Sequence, residues 1–166
     1  MIEDGHVLDV PSSQRLDRAV NFYEKSAKRG NTDAMTDLGF LNEKGIIGND
    51  QTSLSQAVEH YKHAIEGNNP RAMNNLAGLF LAGHIEESFE GQNEREAFKM
   101  YEKASALGST QAITNLGICY LKGIHVEKDT LAAKKVNFYL IYNLSYLKKL
   151  LNKKNQMLYF LSLIHI

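Results

Sequence analysis

The chain has 166 residues, of which 23% are charged and 43% hydrophobic, with 19 basic and 19 acidic side chains, one cysteine and no tryptophan. That length holds one domain or a short repeat array, the composition excludes bulk disorder, and a lone cysteine excludes a disulfide framework or a multi-cysteine metal cluster. All the acidic residues but only fifteen of the basic ones precede Val136, so the body is mildly acidic and unsuited to nucleic-acid phosphates.

The N-terminus, MIEDGHVLDV, carries acids where a secretory signal needs a basic start, and no apolar core follows. A cytoplasmic location is expected from this. Residues 1–14 precede the first helical pattern. From there the chain repeats itself. Tyr23, Tyr61 and Tyr101 head three similar blocks, spaced by 38 and then 40 residues. Four positions before each tyrosine stand Ala19, Ala57 and Ala97, and eleven after stand Ala34, Ala72 and Ala112. Leu38, Leu76 and Leu116 follow at fifteen, and Gly45, Gly83 and Gly123 at twenty-two. Such self-similarity marks a repeat architecture.

Each block predicts two helices. Ala19, Tyr23 and Ala27 recur every fourth residue on one helical face, as do Ala57, Tyr61 and Ile65, then Ala97, Tyr101 and Ser105. Ser53 with Gln56, and Asn93 with Glu96, have capping-box spacing and predict helix starts. Gly30, Gly67 and Gly108 predict stops. A second helix then begins at Asn31, Asn69 or Ser109, each a favoured N-cap, with Pro70 at a first helical position. It ends near Gly45, Gly83 or Gly123. A single hairpin cannot bury its own apolar stripe, so the pattern implies stacked helix pairs.

These residues resemble the Sel1-like repeat family, relatives of the tetratricopeptide repeat. Ala19, Tyr23, Lys25, Ala27, Gly30, Asn31, Ala34, Leu38, Gly39 and Gly45 match its pattern. The third copy continues it through Tyr120, Gly123, Val126 and Asp129, with Ala133 opening a fourth helix. The resemblance covers about residues 15–135, in repeats of about 15–52, 53–92 and 93–128 with a fourth starting at 129–135. Departures are Asn42 where tyrosine is expected, Ala77 in place of glycine, and polar, acidic linkers at Ile46–Thr52 and His84–Gln92. The resemblance implies an all-α, right-handed α-solenoid of antiparallel helix pairs. It further implies an adaptor or scaffold that binds a protein or peptide without catalysis or cofactor. The alternative it leaves open is a fragment of a larger enzyme or regulator, such as a kinase, a ubiquitin-ligase subunit or an endoplasmic-reticulum-associated degradation subunit. A cysteine-rich, enzymatic branch of the family is set aside, since its cysteine pattern is absent here.

After Lys135 the character changes. The stretch VNFYLIYNLSYLKKLLNKKNQMLYF lacks Gly, Ala, Pro, Asp, Glu, Arg and Thr, a bias typical of translated AT-rich noncoding DNA, and the final LSLIHI corresponds to a translated transposase-adapter end. Residues 136–166 therefore read as an aberrant tail. The other reading is an amphipathic capping helix, with Val136, Leu140, Leu144 and Leu147 at helical spacing. The apolar run from Val136 to Leu147 is broken by polar residues and ends at Lys148-Lys149, so no membrane insertion is expected. With an aberrant tail the third repeat would be poorly covered, which predicts self-association.

Few residues point to chemistry. His60 and His63 stand three apart on one helix and could face a shared metal, but no third ligand lies near in sequence, and they read as helix surface. Cys119 aligns with Leu41 and Leu79 and reads as a small buried hydrophobe. Glu86, Glu87 and Glu90 read as a solvated acidic loop. No phosphate-binding glycine loop or HExxH motif occurs. First helices of solenoids commonly face inward, which leaves Asn21, Glu24, Lys28, Glu59, Lys62, Lys99 and Glu102 as a mixed-charge strip for a protein or peptide partner.

Overall fold

The computed structural model describes residues 12–48, 52–85 and 91–136. Six helices follow one another: α1 Ser12–Ala27, α2 Thr32–Glu43, α3 Thr52–Glu66, α4 Pro70–Leu81, α5 Gln92–Ala106 and α6 Thr110–Lys122. A further helical stretch covers 130–136, and no strand occurs among the described residues. The tail beyond Val136, in either of its readings, and the acidic loop Glu86, Glu87 and Glu90 lie outside the described residues. The fold divides after Leu76, within α4, into two compact units. In the first, α2 packs most extensively on α3 and also on α1; in the second, α5 pairs with α6.

One device closes all three hairpins. The residue seven after each tyrosine is left-handed: Gly30 at φ 86°, Asn68 at φ 59° and Gly108 at φ 88°. Its N–H bonds the carbonyl three back, and the next N–H bonds the carbonyl five back, as in Asn68 to Ile65 at 2.8 Å and Asn69 to Ala64 at 3.1 Å. This is a Schellman ending. The sequence places the second stop at Gly67, but the structure puts the turn at Asn68. Asparagine tolerates this backbone, and Gly67 serves another end, since a Cβ there would run into Thr32 Cγ2. The following residue caps the second helix. Asn31 Oδ1 accepts from Ala34 N at 3.0 Å, Asn69 Oδ1 from Ala72 N at 3.1 Å, and Ser109 Oγ from Ala112 N at 3.2 Å.

The starts of the first helices differ from the capping-box expectation. Helices α3 and α5 begin at Thr52 and Gln92, so Ser53 and Asn93 lie inside the first turn. The cap of α5 is Gly91, left-handed and without a side-chain bond. Asn93 instead donates to Ile85 O at 2.7 Å.

The buried stripe also shifts by one residue. Ala57, Tyr61 and Ala64 are fully enclosed, as are Ala97 and Ala104 around the buried Tyr101, whereas Ile65, Ser105 and Ala27 are half-buried. A helix turns about 100° per residue, so seven residues return to within about 20° of the start and eight overshoot.

Tyr61 is the centre of the first unit. Its ring lies against Gly39 so closely that an added Cβ would stand 2.6 Å from Cε1. Its hydroxyl donates to Glu43 Oε2 at 2.7 Å and accepts from Asn75 Nδ2 at 3.3 Å, linking α3 to α2 and to α4. Burial, and the bond to Glu43, push this phenol far above its usual value of 10.0. Beside it, Asn69 Nδ2 donates to Asp33 Oδ1 at 2.8 Å and Arg71 pairs with Asp37, so a polar seam locks one hairpin to the next.

Two pairs of substitutions test this. Gly39→Ala should lower stability by about 1–3 kcal/mol because the ring must move. Gly78→Ala, whose Cβ would meet Tyr101 Oη at 3.9 Å, should be neutral or stabilising by up to about 1 kcal/mol. Urea denaturation of both reads the contrast. Asn69→Ala should cost about 1–2 kcal/mol by losing cap and seam together. Asn69→Asp keeps the cap acceptor but sets two carboxylates together, and Asp33→Asn should rescue it in a double-mutant cycle.

Candidate functional site

A groove of about 490 Å³ opens in the first unit, between α1, α2 and α3. Its floor is apolar: Val20 from α1, Leu38 from α2, and Ile47 from the turn after α2. Asn42 adds a buried amide, held by its own bond from Nδ2 to Leu38 O at 3.2 Å. Glu24 of α1 and Gln56, Glu59, His60 and His63 of α3 form the walls. Gly48 closes one end with φ 73°, where any Cβ would stand 2.5 Å from Ser53 Oγ.

The reason for the groove is visible in the third repeat. There Phe98 and Tyr120 meet edge to face with centroids 5.6 Å apart, and His125 lies 5.7 Å from the same Phe98 ring. Counted from the repeat tyrosine, Phe98, Tyr120 and His125 stand where the first repeat has Val20, Asn42 and Ile47. Three rings pack together at these positions in one copy; three smaller side chains line the groove in the other. Interiors otherwise pack to near-crystalline density, so the opening follows directly from these side-chain types.

Charge is arranged on the walls. Glu24 and Glu59 are exposed, and neither forms an ion pair among the described residues. Half-burial of His60 lowers it below the usual 6.5, with His63 adding to the effect and Glu59 and Glu24 opposing it. The imidazole is therefore neutral at neutral pH and the groove is net negative. Among the described residues no group of three or more His, Cys, Asp or Glu is placed to hold a metal.

Of the strip read from the sequence, the structure brings Glu24 and Glu59 to one groove. Asn21 and Lys28 on α1, and Lys62 on α3, are exposed but do not line it. Lys99 and Glu102 are exposed on α5 in the other unit, with Lys99 at 3.1 Å from Glu96. The sequence reading missed the floor, Val20, Leu38 and Ile47, and the role of His60 and His63 as wall. The signal that could have found it is Asn42, already noted as a departure. Cys119 is buried, and burial pushes its thiol above 9.0, with Glu94 adding to the shift. No described helix is long and apolar enough to cross a membrane.

Helix pairs joined by one recurring turn define an all-α repeat protein. The Sel1 repeat model matches residues 1–31, 32–69, 70–109 and 110–135. The chain belongs to the Sel1 repeat family, and its fold is the all-α solenoid of that family. It is similar to a Sel1 repeat protein from Oxalobacter formigenes, at 27% identity and TM-score 0.60, over 76% of this chain and 90% of that one. It is also similar to a protective antigen of uropathogenic Escherichia coli with an SLR fold, at 28% identity and TM-score 0.59, over 70% of this chain but only 24% of that one. No curated protein sequence gives a significant match.

The raised, enclosed thiol gives a direct test. In the native protein Cys119 should resist maleimide or Ellman's reagent, and should react at the full stoichiometric level once denaturant unfolds the chain. Rapid labelling of the folded form would show that the second unit opens readily.

Proposed function

We propose that this chain is a non-catalytic adaptor that binds a protein or peptide partner through the first-repeat groove and the exposed polar side chains around it. The observation that carries this reading is the groove itself: apolar and polar side chains together, with two carboxylates that form no ion pair among the described residues, the usual make-up of a recognition site. Family membership supports it, since Sel1 repeats typically mediate protein–protein interaction. Within the proposal, Asn21, Glu24, Lys28, Glu59 and Lys62 form one contact surface, and Lys99 and Glu102 a second on α5. Self-association through the exposed Ile118, Leu121 and Leu131 belongs to the same proposal.

A second reading is that the repeats serve a larger enzyme or regulator. The observation favouring it is length: this chain spans about a quarter of the Escherichia coli antigen it resembles.

Affinity capture with crosslinking, run in parallel on the wild type and on the triple variant Glu24→Lys, Glu59→Lys, Lys62→Glu, tests the surface. These are exposed positions, so the variant should keep its helicity and thermal midpoint. It should lose most of the specific partners recovered by the wild type. Equal recovery by the two proteins would remove this face from the function.

A further inference from the structure

We propose that the first-repeat groove seats a basic side chain, arginine or lysine, of the partner polypeptide, with Val20, Leu38 and Ile47 taking its aliphatic stem and Glu24 and Glu59 its cationic head. The proposal rests on the adaptor reading above and adds the chemistry of what is bound.

Three observations point the same way. The groove offers apolar floor and anionic rim together, which matches a side chain whose stem is hydrocarbon and whose tip is charged. Neither rim carboxylate has a cation within the described residues, and the lining includes no Lys or Arg. A partner cation would therefore meet two acceptors that no described residue already engages. Finally, the corresponding positions of the third repeat hold the chain's own Phe98, Tyr120 and His125, packed ring on ring. The first repeat has Val20, Asn42 and Ile47 at those positions, and all three line the groove.

The same geometry gives the seat a pH response. The titratable groups facing His60 are Glu24 from α1 and Glu59 and His63 from α3; α2 contributes only Leu38 and Asn42 to the lining. Above the ordinary histidine range His60 is neutral and leaves the carboxylate charge intact. Acidification below it adds a positive charge beside the bound cation, so affinity falls as pH falls.

The test pans a displayed random dodecapeptide library against the full chain at about pH 7.5, then measures enriched peptides by fluorescence anisotropy. The expected peptides share one basic residue, and replacing it with norleucine or citrulline weakens binding about tenfold or more. The double variant Glu24→Gln, Glu59→Gln should weaken binding to a similar extent, at about tenfold. Lowering the pH to about 5 should weaken it several-fold, and His60→Gln should flatten that dependence. Enriched peptides held by an apolar residue, or bound equally well by the Glu24→Gln, Glu59→Gln protein, would overturn the seat while leaving the adaptor reading in place. Failure to enrich any peptide on a wild-type chain that is folded by circular dichroism would overturn both.

Discussion

The first unit depends on how closely α3 can approach α2 at Tyr61. The tyrosine is wholly enclosed, its ring presses on a position that has no side chain, Gly39, and its hydroxyl reaches across to Glu43. An aromatic ring of this size contributes a large share of the buried apolar area, but only if the facing helix presents bare backbone. The hydroxyl must also be satisfied once water is excluded, and Glu43 and Asn75 do this from two different helices. One residue thus sets both the separation of neighbouring hairpins and their rotational register.

With that spacing fixed, the side chains at three positions of each repeat differ in how much space they occupy. The third repeat holds an aromatic cluster there and the first lines a groove, although the backbone device that closes the hairpin is the same in both. Packing and surface shape are therefore carried by different columns of the repeat. The tyrosine, alanine and left-handed positions hold the helices, and the Val20, Asn42 and Ile47 columns shape what they expose. Such a separation is what a family of binding modules requires, because the surface can vary while the stack is kept.

Much of the fold was legible in the sequence, and the physical reasons for the misses are specific. The second-helix caps Asn31, Asn69 and Ser109 were readable because a short polar side chain next to a left-handed residue has few other uses. Asn68 was not, because glycine is the default assignment for that backbone and Gly67 stood beside it. Ser53 and Asn93 misled because capping-box spacing also arises one residue inside a helix. The i, i+8 stripe failed by a single position, since periodicity constrains a face and not its centre. For the site, the two glutamates were read as surface residues of first helices, but their meeting in one groove depends on Val20 and Ile47 being small. That is a comparison between copies of the repeat, not a property of any one segment.

The Asn42 position has a consequence for how such proteins diversify. Because its neighbours in the first unit are held by Tyr61 and the Asn69 seam rather than by residue 42, a swap between tyrosine and asparagine there acts as a local aperture setting. Each hairpin of a longer array could be opened or sealed separately by that one codon and its two companions. An array of this kind would carry its openings as separate settings along one common frame.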